Sequence, residues 1–445
     1  HLGKIKLVTK DLSMPSLTPL HEPYCTIQQA APTQGDLLEG LAQLATSSIY
    51  GITEIVQAIH REVVLRPLGL HTEKHQALWN KGITGHLYCL IKKTMVRSGR
   101  GIALSLRTVN KMTPESKRRP LTPMLHWLVG ALNGVAGDHL IRMRNPMALP
   151  MMLYDRYGQP QRGELRGRVV ILVHGLCMNH LSWDPGQSVG LGEQILYRQP
   201  FSNVLYLNYN TGRRISQNGR SLSRLLEQLI QRNPQITEID LIGHSMGGLV
   251  ARSSLFYGKQ SGNEWPFLID HLVCLGSPHH GAVLERLGFM LQERLGGLPF
   301  TSVLARLLDI RSAGIIDLRH GSVRDDDWEH LDGRRGQADD IRKPAPLPAR
   351  VKAYLVAGSL ERAPHTSKAM EVVGDYLLSV KSALGEHDDP LYRLNVPEHR
   401  KAVFYGVNHF QLQYHAAVRD QVIAWLIPNA YLPHSANTRV EYVES

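Results

Sequence analysis

The chain has 445 residues, 43% hydrophobic and 20% charged. That balance supplies a large apolar core and excludes an intrinsically disordered chain. The net charge is +11, but the basic residues are scattered, apart from short runs such as Lys117-Arg118-Arg119 and Arg334-Arg335. Without a basic cluster interleaved with aromatics, nucleic acid is not indicated as a partner; the excess reads as an ordinary basic surface with some attraction for anionic membranes or substrates.

The first residues, His1-Leu2-Gly3-Lys4, carry no apolar leader core, and no apolar run approaches the ~18 residues of a membrane span. A cytoplasmic or membrane-peripheral location is expected. Up to residue 149 the chain reads as a helical region and a candidate cap. Apolar residues recur at helical spacing from Gly35 to Val64, Gly85 to Val96 and Pro123 to Val135. The polar stretch Val109 to Pro123 reads as an exposed connection.

From residue 150 to 430 the rhythm is strand, loop, helix, strand. Strands are predicted over Arg168–Val173, Asn203–Leu207, Glu238–Ile242, Ile269–Leu275, Val351–Ala357 and Ala402–Tyr405. Helices are predicted over Ile215–Gln231, Met246–Tyr257 and Gln413–Leu426. Alternation of this kind predicts a mostly parallel, doubly wound α/β sheet. Residues 281–349 form an insertion longer than an ordinary connection, a lid-like element that with the N-terminal helices would roof the site. Residues 431–445 read as a tail. Of the four cysteines, Cys25, Cys89, Cys177 and Cys274, no two form a C-x-x-C pair; Cys177 and Cys274 fall where buried free thiols are common.

The chemistry centres on Gly243-His244-Ser245-Met246-Gly247-Gly248. This is a G-x-S-x-G turn between a strand and a helix, the nucleophile elbow of an α/β-hydrolase. Its glycines permit a sharp corner that lifts the Ser245 hydroxyl to the top of the sheet. Val173-His174-Gly175-Leu176 ends the first core strand, where this fold takes one oxyanion donor; the N–H groups of Leu176 and Met246 are the candidates. A serine hydroxyl needs a base, and the base an orienting carboxylate, in the chain order Ser, acid, His. His409 follows the last predicted strand and is the candidate base, against His365, His387, His399 and His415. Asp375, beside Gly374 in a strand-end loop, is the candidate acid; Asp388 and Asp389 are alternatives that look like a solvated turn. Met178 and Trp183 are substrate-pocket candidates, equally readable as core. His279-His280 lacks a third ligand and Asp325-Asp326-Asp327 lacks a calcium-loop pattern, so no metal and no cofactor is expected.

The segments VVILVHGL, LIGHSMGGLVAR, CLGSPHHGA, VVGDYLLSVKSALG and GVNHFQL give residues 158–426 a resemblance to α/β-hydrolases of the lipase group that includes the GPI inositol-deacylase-like proteins. Members carry GTPH-x-G after the strand following the nucleophile, and GD-x-x-V followed by SA around the acid; Leu378 stands where valine is usual. The resemblance implies Ser245 as nucleophile, Asp375 as acid, His409 as base, and Leu176 and Met246 as oxyanion donors. The N-terminal helices look like the extra region of bacterial esterases and lipases. The expected function is hydrolysis of carboxylic esters with apolar acyl groups, on an ester or lipid-like substrate. The alternatives are an acyltransferase or thioesterase with the same triad, or a silent interaction protein on this scaffold.

Overall fold

The unbroken apolar run of residues 167–173 becomes β2 (Gly167–Val173), the strand around which the sheet is built. In the computed structural model, which describes residues 31–46, 104–184, 186, 189–283, 312–328, 342–361, 374–427 and 440–441, its residues alternate between two cores. Val169, Ile171 and Val173 enter one; Val170 and Leu172 enter the other. A strand covered on both faces buries every position, so its sequence cannot alternate with polar residues. Each such side chain contributes about 1.5–3 kcal/mol.

Among the described residues the sheet has eight strands in the order β1-β3-β2-β4-β5-β6-β7-β8. The remaining strands are β1 (Met152–Tyr154), β3 (Asn203–Asn208), β4 (Ile236–His244), β5 (Ile269–Leu275), β6 (Lys352–Ser359), β7 (Lys401–Tyr405) and β8 (Val440–Glu441). From β3 to β7 neighbours are parallel; β1 and β8 add antiparallel edges. Each of the two edge strands has three residues or fewer, too short for a periodicity to reveal. Residues 440–441, within the expected tail, pair with β7.

Helices cover both faces. Among them, in chain order, are α1 (Gln34–Thr46), α2 (Pro123–Arg142), α3 (Leu191–Arg198), α4 (Ile215–Arg232), α5 (Met246–Gln260), α6 (Ala313–His320) and α7 (Ala416–Leu426). On α4, Leu222, Leu225, Leu226, Leu229 and Ile230 form one apolar stripe at helical spacing, which packs with α5 and α2 on one face; α3 and α7 cover the other. The predicted helix from Gly35 is present to Thr46. Residues 47–64 and the predicted helix 85–96 lie outside the described residues. The expected exposed connection, Val109 to Pro123, begins as the end of a helix over 104–112. There tertiary anchoring overrides composition: Asn110 Nδ2 donates to Asp36 Oδ1 at 2.7 Å. No described helix is long and apolar enough to cross a membrane.

Within the insertion, residues 312–328 are tied to the body of the fold. Helix α4 has no side-chain cap of its own; Asp317 of α6 supplies one, accepting from Ile215 N at 2.9 Å while pairing with Arg214. Burial pushes the Asp317 carboxyl up to about 6. Residues 284–311 and 329–341 of the insertion lie outside the described residues.

A charged network closes the end of the sheet where β2, β4, β5 and β6 begin. Glu238, Asp240, Asp270 and His271 bring their donor atoms within 4.8 Å of one another, a spacing that a metal could use. Arg168 and Lys352 occupy it instead. Arg168 Nε donates to Asp240 Oδ2 at 2.6 Å, and Nη1 donates to Gln199 Oε1 and to the Leu426 carbonyl. Lys352 pairs with Asp270 at 2.7 Å. One guanidinium therefore joins β2, β4, the end of α3 and the end of α7. Arg168→Ala leaves Asp240, 0% exposed, without its cation. The expected loss is about 3–5 kcal/mol in urea unfolding. Arg166→Ala, at an exposed pair with Glu164, should change stability by less than about 0.5 kcal/mol.

Candidate active site

The chain leaves β2 to form β3 on one side, then returns to place β4 on the other. This reversal opens a crevice beyond the carboxyl ends of β2 and β4. The loop Gly175–Cys177 and Ser245 both sit there. Ser245 has φ 54° and ψ −123°, a left-handed conformation that costs a non-glycine residue about 1–3 kcal/mol and is kept where the surroundings over-determine it. Gly247 shows how tight the corner is: a Cβ there would lie 2.1 Å from the Val173 carbonyl oxygen. Ser245 N donates to the Leu275 carbonyl at 2.8 Å, fixing the elbow to β5.

Asp375 and His409, 34 residues apart in sequence, meet at the same edge. His409 Nδ1–H donates to Asp375 Oδ2 at 2.6 Å, with side chains 2% and 1% exposed. The other carboxylate oxygen accepts from Leu377 N and Leu378 N at 3.1 and 3.2 Å. With its proton held on Nδ1, a neutral His409 presents the Nε2 lone pair, the tautomer a general base requires. The Ser245 hydroxyl makes no hydrogen bond to the His409 ring among the described residues; such bonds commonly tighten only when substrate is bound. Asp389 instead caps a short turn, accepting from Leu391 N at 2.9 Å, and His415 begins α7. His365 lies outside the described residues.

Sequence reasoning missed His244. Its buried Nε2–H donates to the His409 carbonyl at 2.9 Å, and the two rings lie 4.8 Å apart. The residue before Ser245 thus holds the backbone of His409. The variable position of a G-x-S-x-G motif carries no signal for such a contact.

The N–H groups of Leu176 and Met246 have no hydrogen-bond partner among the described residues. Cys177, at φ 60°, turns the loop, and its N–H donates to Thr211 Oγ1 at 3.2 Å. The Tyr209 hydroxyl donates to the His174 carbonyl at 2.8 Å. Behind the loop runs α2, which presents Gly130, Gly134 and Gly137. A Cβ at Gly134 would lie 2.2 Å from Cys177 Sγ, and one at Gly130 would lie 2.8 Å from the Met178 carbonyl oxygen. The helix backbone therefore lies directly against the loop that carries Leu176 and Cys177. Three glycines on one helix face were the available sequence signal. Met178 and Trp183 are both buried, Trp183 in the core beside Val170, Leu172 and Leu191. Cys177 and Cys274 are buried free thiols; Cys25 and Cys89 lie outside the described residues. The three carboxylates read as a solvated acidic turn are engaged within the fold: Asp325 with Arg220, Asp326 with Arg324, and Asp327 with backbone N–H groups.

Buried imidazoles around the loop give the fold an acid limit. Burial lowers His174 to about 4 and His180, stacked on Tyr154, to about 3. Both folded values lie below the ordinary 6.5, so the unfolded chain binds more protons between those limits. Their stabilisation is complete above pH 6.5 and is lost as pH falls towards 3–4. Asp317 acts oppositely, since its raised value favours the folded state as pH falls through 6. Two histidines outweigh one aspartate. His279 and His280, both lowered by burial, act in the same sense, so stability should fall by at least about 2 kcal/mol from pH 7 to pH 5, read by thermal or urea unfolding; a constant or rising stability would contradict this.

No curated protein sequence matches the chain. Among solved structures, it is similar to Bacillus licheniformis lipase BlEst2 in mature form, with 15% identity, TM-score 0.37, and coverage of 62% of this chain and 97% of that one. It is also similar to the lin2722 product of Listeria innocua, with 14% identity, TM-score 0.34, and coverage of 60% and 96%. The NocB thioesterase domain gives 13% identity, TM-score 0.35, and coverage of 62% and 99%. A sequence profile described as the PGAP1-like alpha/beta domain matches residues 164–387, half of the chain. The parallel sheet, its switch point and the G-x-S-x-G elbow agree with that match: the fold is that of an α/β-hydrolase, and the chain belongs to the PGAP1-like alpha/beta domain family.

Proposed function

We propose that the protein hydrolyses carboxylic esters with apolar acyl groups through an acyl-enzyme on Ser245. The observation that carries the reading is the buried Asp375–His409 pair at the sheet edge that holds a strained Ser245. His409 Nε2 takes the Ser245 proton as Oγ attacks the ester carbonyl carbon. Negative charge develops on the carbonyl oxygen, where the N–H groups of Leu176 and Met246 receive it. Each such donor contributes about 3 kcal/mol in comparable sites. His409 returns the proton to the departing alcohol, and the C–O bond of the ester breaks. A water then gives a proton to His409 as it attacks the acyl carbon; the bond from that carbon to Ser245 Oγ breaks, and His409 returns the proton to Oγ, releasing the acid. Asp375 keeps the ring oriented throughout. Met178, just beyond Leu176, is assigned to the wall of the acyl pocket, while Trp183 backs His244, with ring centroids 6.5 Å apart.

A series of p-nitrophenyl esters from short to long acyl chains tests the reading, together with mass-spectrometric mapping of fluorophosphonate modification. Turnover with a preference for the longer chains, and modification at Ser245, are expected. Inactivity across the series with no modification at Ser245 would overturn it.

A further inference from the structure

Beside the loop that follows β5 lies a partly open cavity of about 40 Å³, walled by Arg252, His279, His280 and Arg342, with Lys343 and Arg393 also contributing. None of Ser245, Asp375 and His409 lines it. Asp327 is the carboxylate in its wall, and backbone N–H groups of Val323, Arg324 and Lys343 already donate to its two oxygens.

Arg252 projects from α5 and is 7% exposed. Its Nη1 donates to His279 Nδ1 and its Nη2 to the Ala345 carbonyl, each at 3.1 Å; Nε is buried without a partner. A guanidinium can only donate, so His279 Nδ1 accepts and the ring proton resides on Nε2. That Nε2–H is also buried and unpartnered. Arg342 donates through Nη1 to the His279 carbonyl at 2.9 Å and through Nη2 to His280 Nδ1 at 3.2 Å. Burial, then the adjacent Arg252, holds His279 neutral. Burial lowers Arg252 only to about 10, which leaves it charged at neutral pH.

The wall thus offers two guanidiniums and a neutral imidazole N–H, and its carboxylate already accepts three backbone N–H bonds. Buried donors without acceptors cost about 1–3 kcal/mol each, which an acceptor-only ligand would recover. That volume would hold about three water molecules, the scale of one small tetrahedral anion. Arginine forks match phosphate oxygens in charge and in geometry.

We propose that this cavity is a binding site for a tetrahedral oxyanion of the phosphate class, either free or as the phosphate group of a lipid. Arg252 and Arg342 supply the charge and His279 Nε2–H a neutral hydrogen bond. The site is separate from Ser245 and does not require the hydrolytic reading.

Calorimetric titration of the full chain with inorganic phosphate, at constant ionic strength, tests it. Saturable binding is expected for the wild type and, with equal affinity, for Ser245→Ala. Arg252→Met and Arg342→Gln should each weaken it at least about tenfold, the scale of one lost charge-assisted contact; Arg166→Gln, on the open surface, should not. If Arg252→Met fails to fold, Arg342→Gln decides. A second arm uses phosphatidylcholine vesicles with and without phosphatidic acid. Binding to the phosphatidic acid vesicles that Arg342→Gln removes assigns a lipid phosphate; binding of inorganic phosphate alone assigns the free ion. No saturable binding in either arm, or binding that Arg252→Met and Arg342→Gln both leave unchanged, would overturn the proposal.

Discussion

Ser245→Ala should lower kcat/KM for a p-nitrophenyl ester by about 10⁵–10⁶-fold. Ser245 is the residue whose backbone is strained to raise its hydroxyl at the end of β4. Removing the oxygen removes the atom that forms the acyl bond, and no neighbouring hydroxyl is positioned by the same corner. Alanine keeps the Cβ and tolerates the left-handed backbone no worse than serine, so the elbow stays formed. Stability should remain within about 0.5 kcal/mol of wild type, and KM should change little, because the pocket is untouched. Activity within tenfold of wild type would remove Ser245 from the mechanism altogether.

Asp375→Asn should lower kcat by about 10⁴-fold with little change in KM. The reason lies in the two sides of the carboxylate. Oδ1 accepts from Leu377 N and Leu378 N, while Oδ2 accepts from His409 Nδ1. An asparagine must keep its carbonyl oxygen towards the two backbone donors. Its amide then faces His409 as a donor and forces Nδ1 to accept. The imidazole proton moves to Nε2, and the base loses the lone pair with which it would take the Ser245 proton. Geometry survives while the tautomer is wrong, so the folded variant should unfold near the wild-type midpoint. Raising the pH should not restore the rate. Asp389→Asn, at an exposed turn, should be neutral; if it were the damaging substitution, the acid assignment would pass to that turn.

The parallel strands were legible because burial on both faces leaves unbroken runs such as Val169 to Val173. Helix α4 was legible because its stripe has a single period. The elbow was legible because only glycine permits the approach of Gly247 to Val173. Strand β1 was not, since Met152–Tyr154 is too short to show alternation, and neither was β8. Asp317 was hidden because a cap delivered from 102 residues away leaves no local pattern. Arg168 looked like an ordinary flank of a strand. Its five-fold donor geometry matters only once β4, α3 and α7 converge on it. The same holds for Arg252 and His279, whose pairing depends on where the loop after β5 returns to α5.

The three glycines of α2 carry a consequence for where this protein can be cut. The family match begins at residue 164, downstream of that helix. Yet α2 lies in van der Waals contact with the turn that carries Leu176, and Ser312 also donates to its Gly134 carbonyl at 2.7 Å. A fragment begun at the matched boundary would lose the edge strand β1 and the wall behind Leu176 while keeping β2 to β8, Ser245 and His409. The smallest piece that can be excised, grafted or recombined without dismantling the reaction centre therefore starts before Thr122, ahead of the matched boundary.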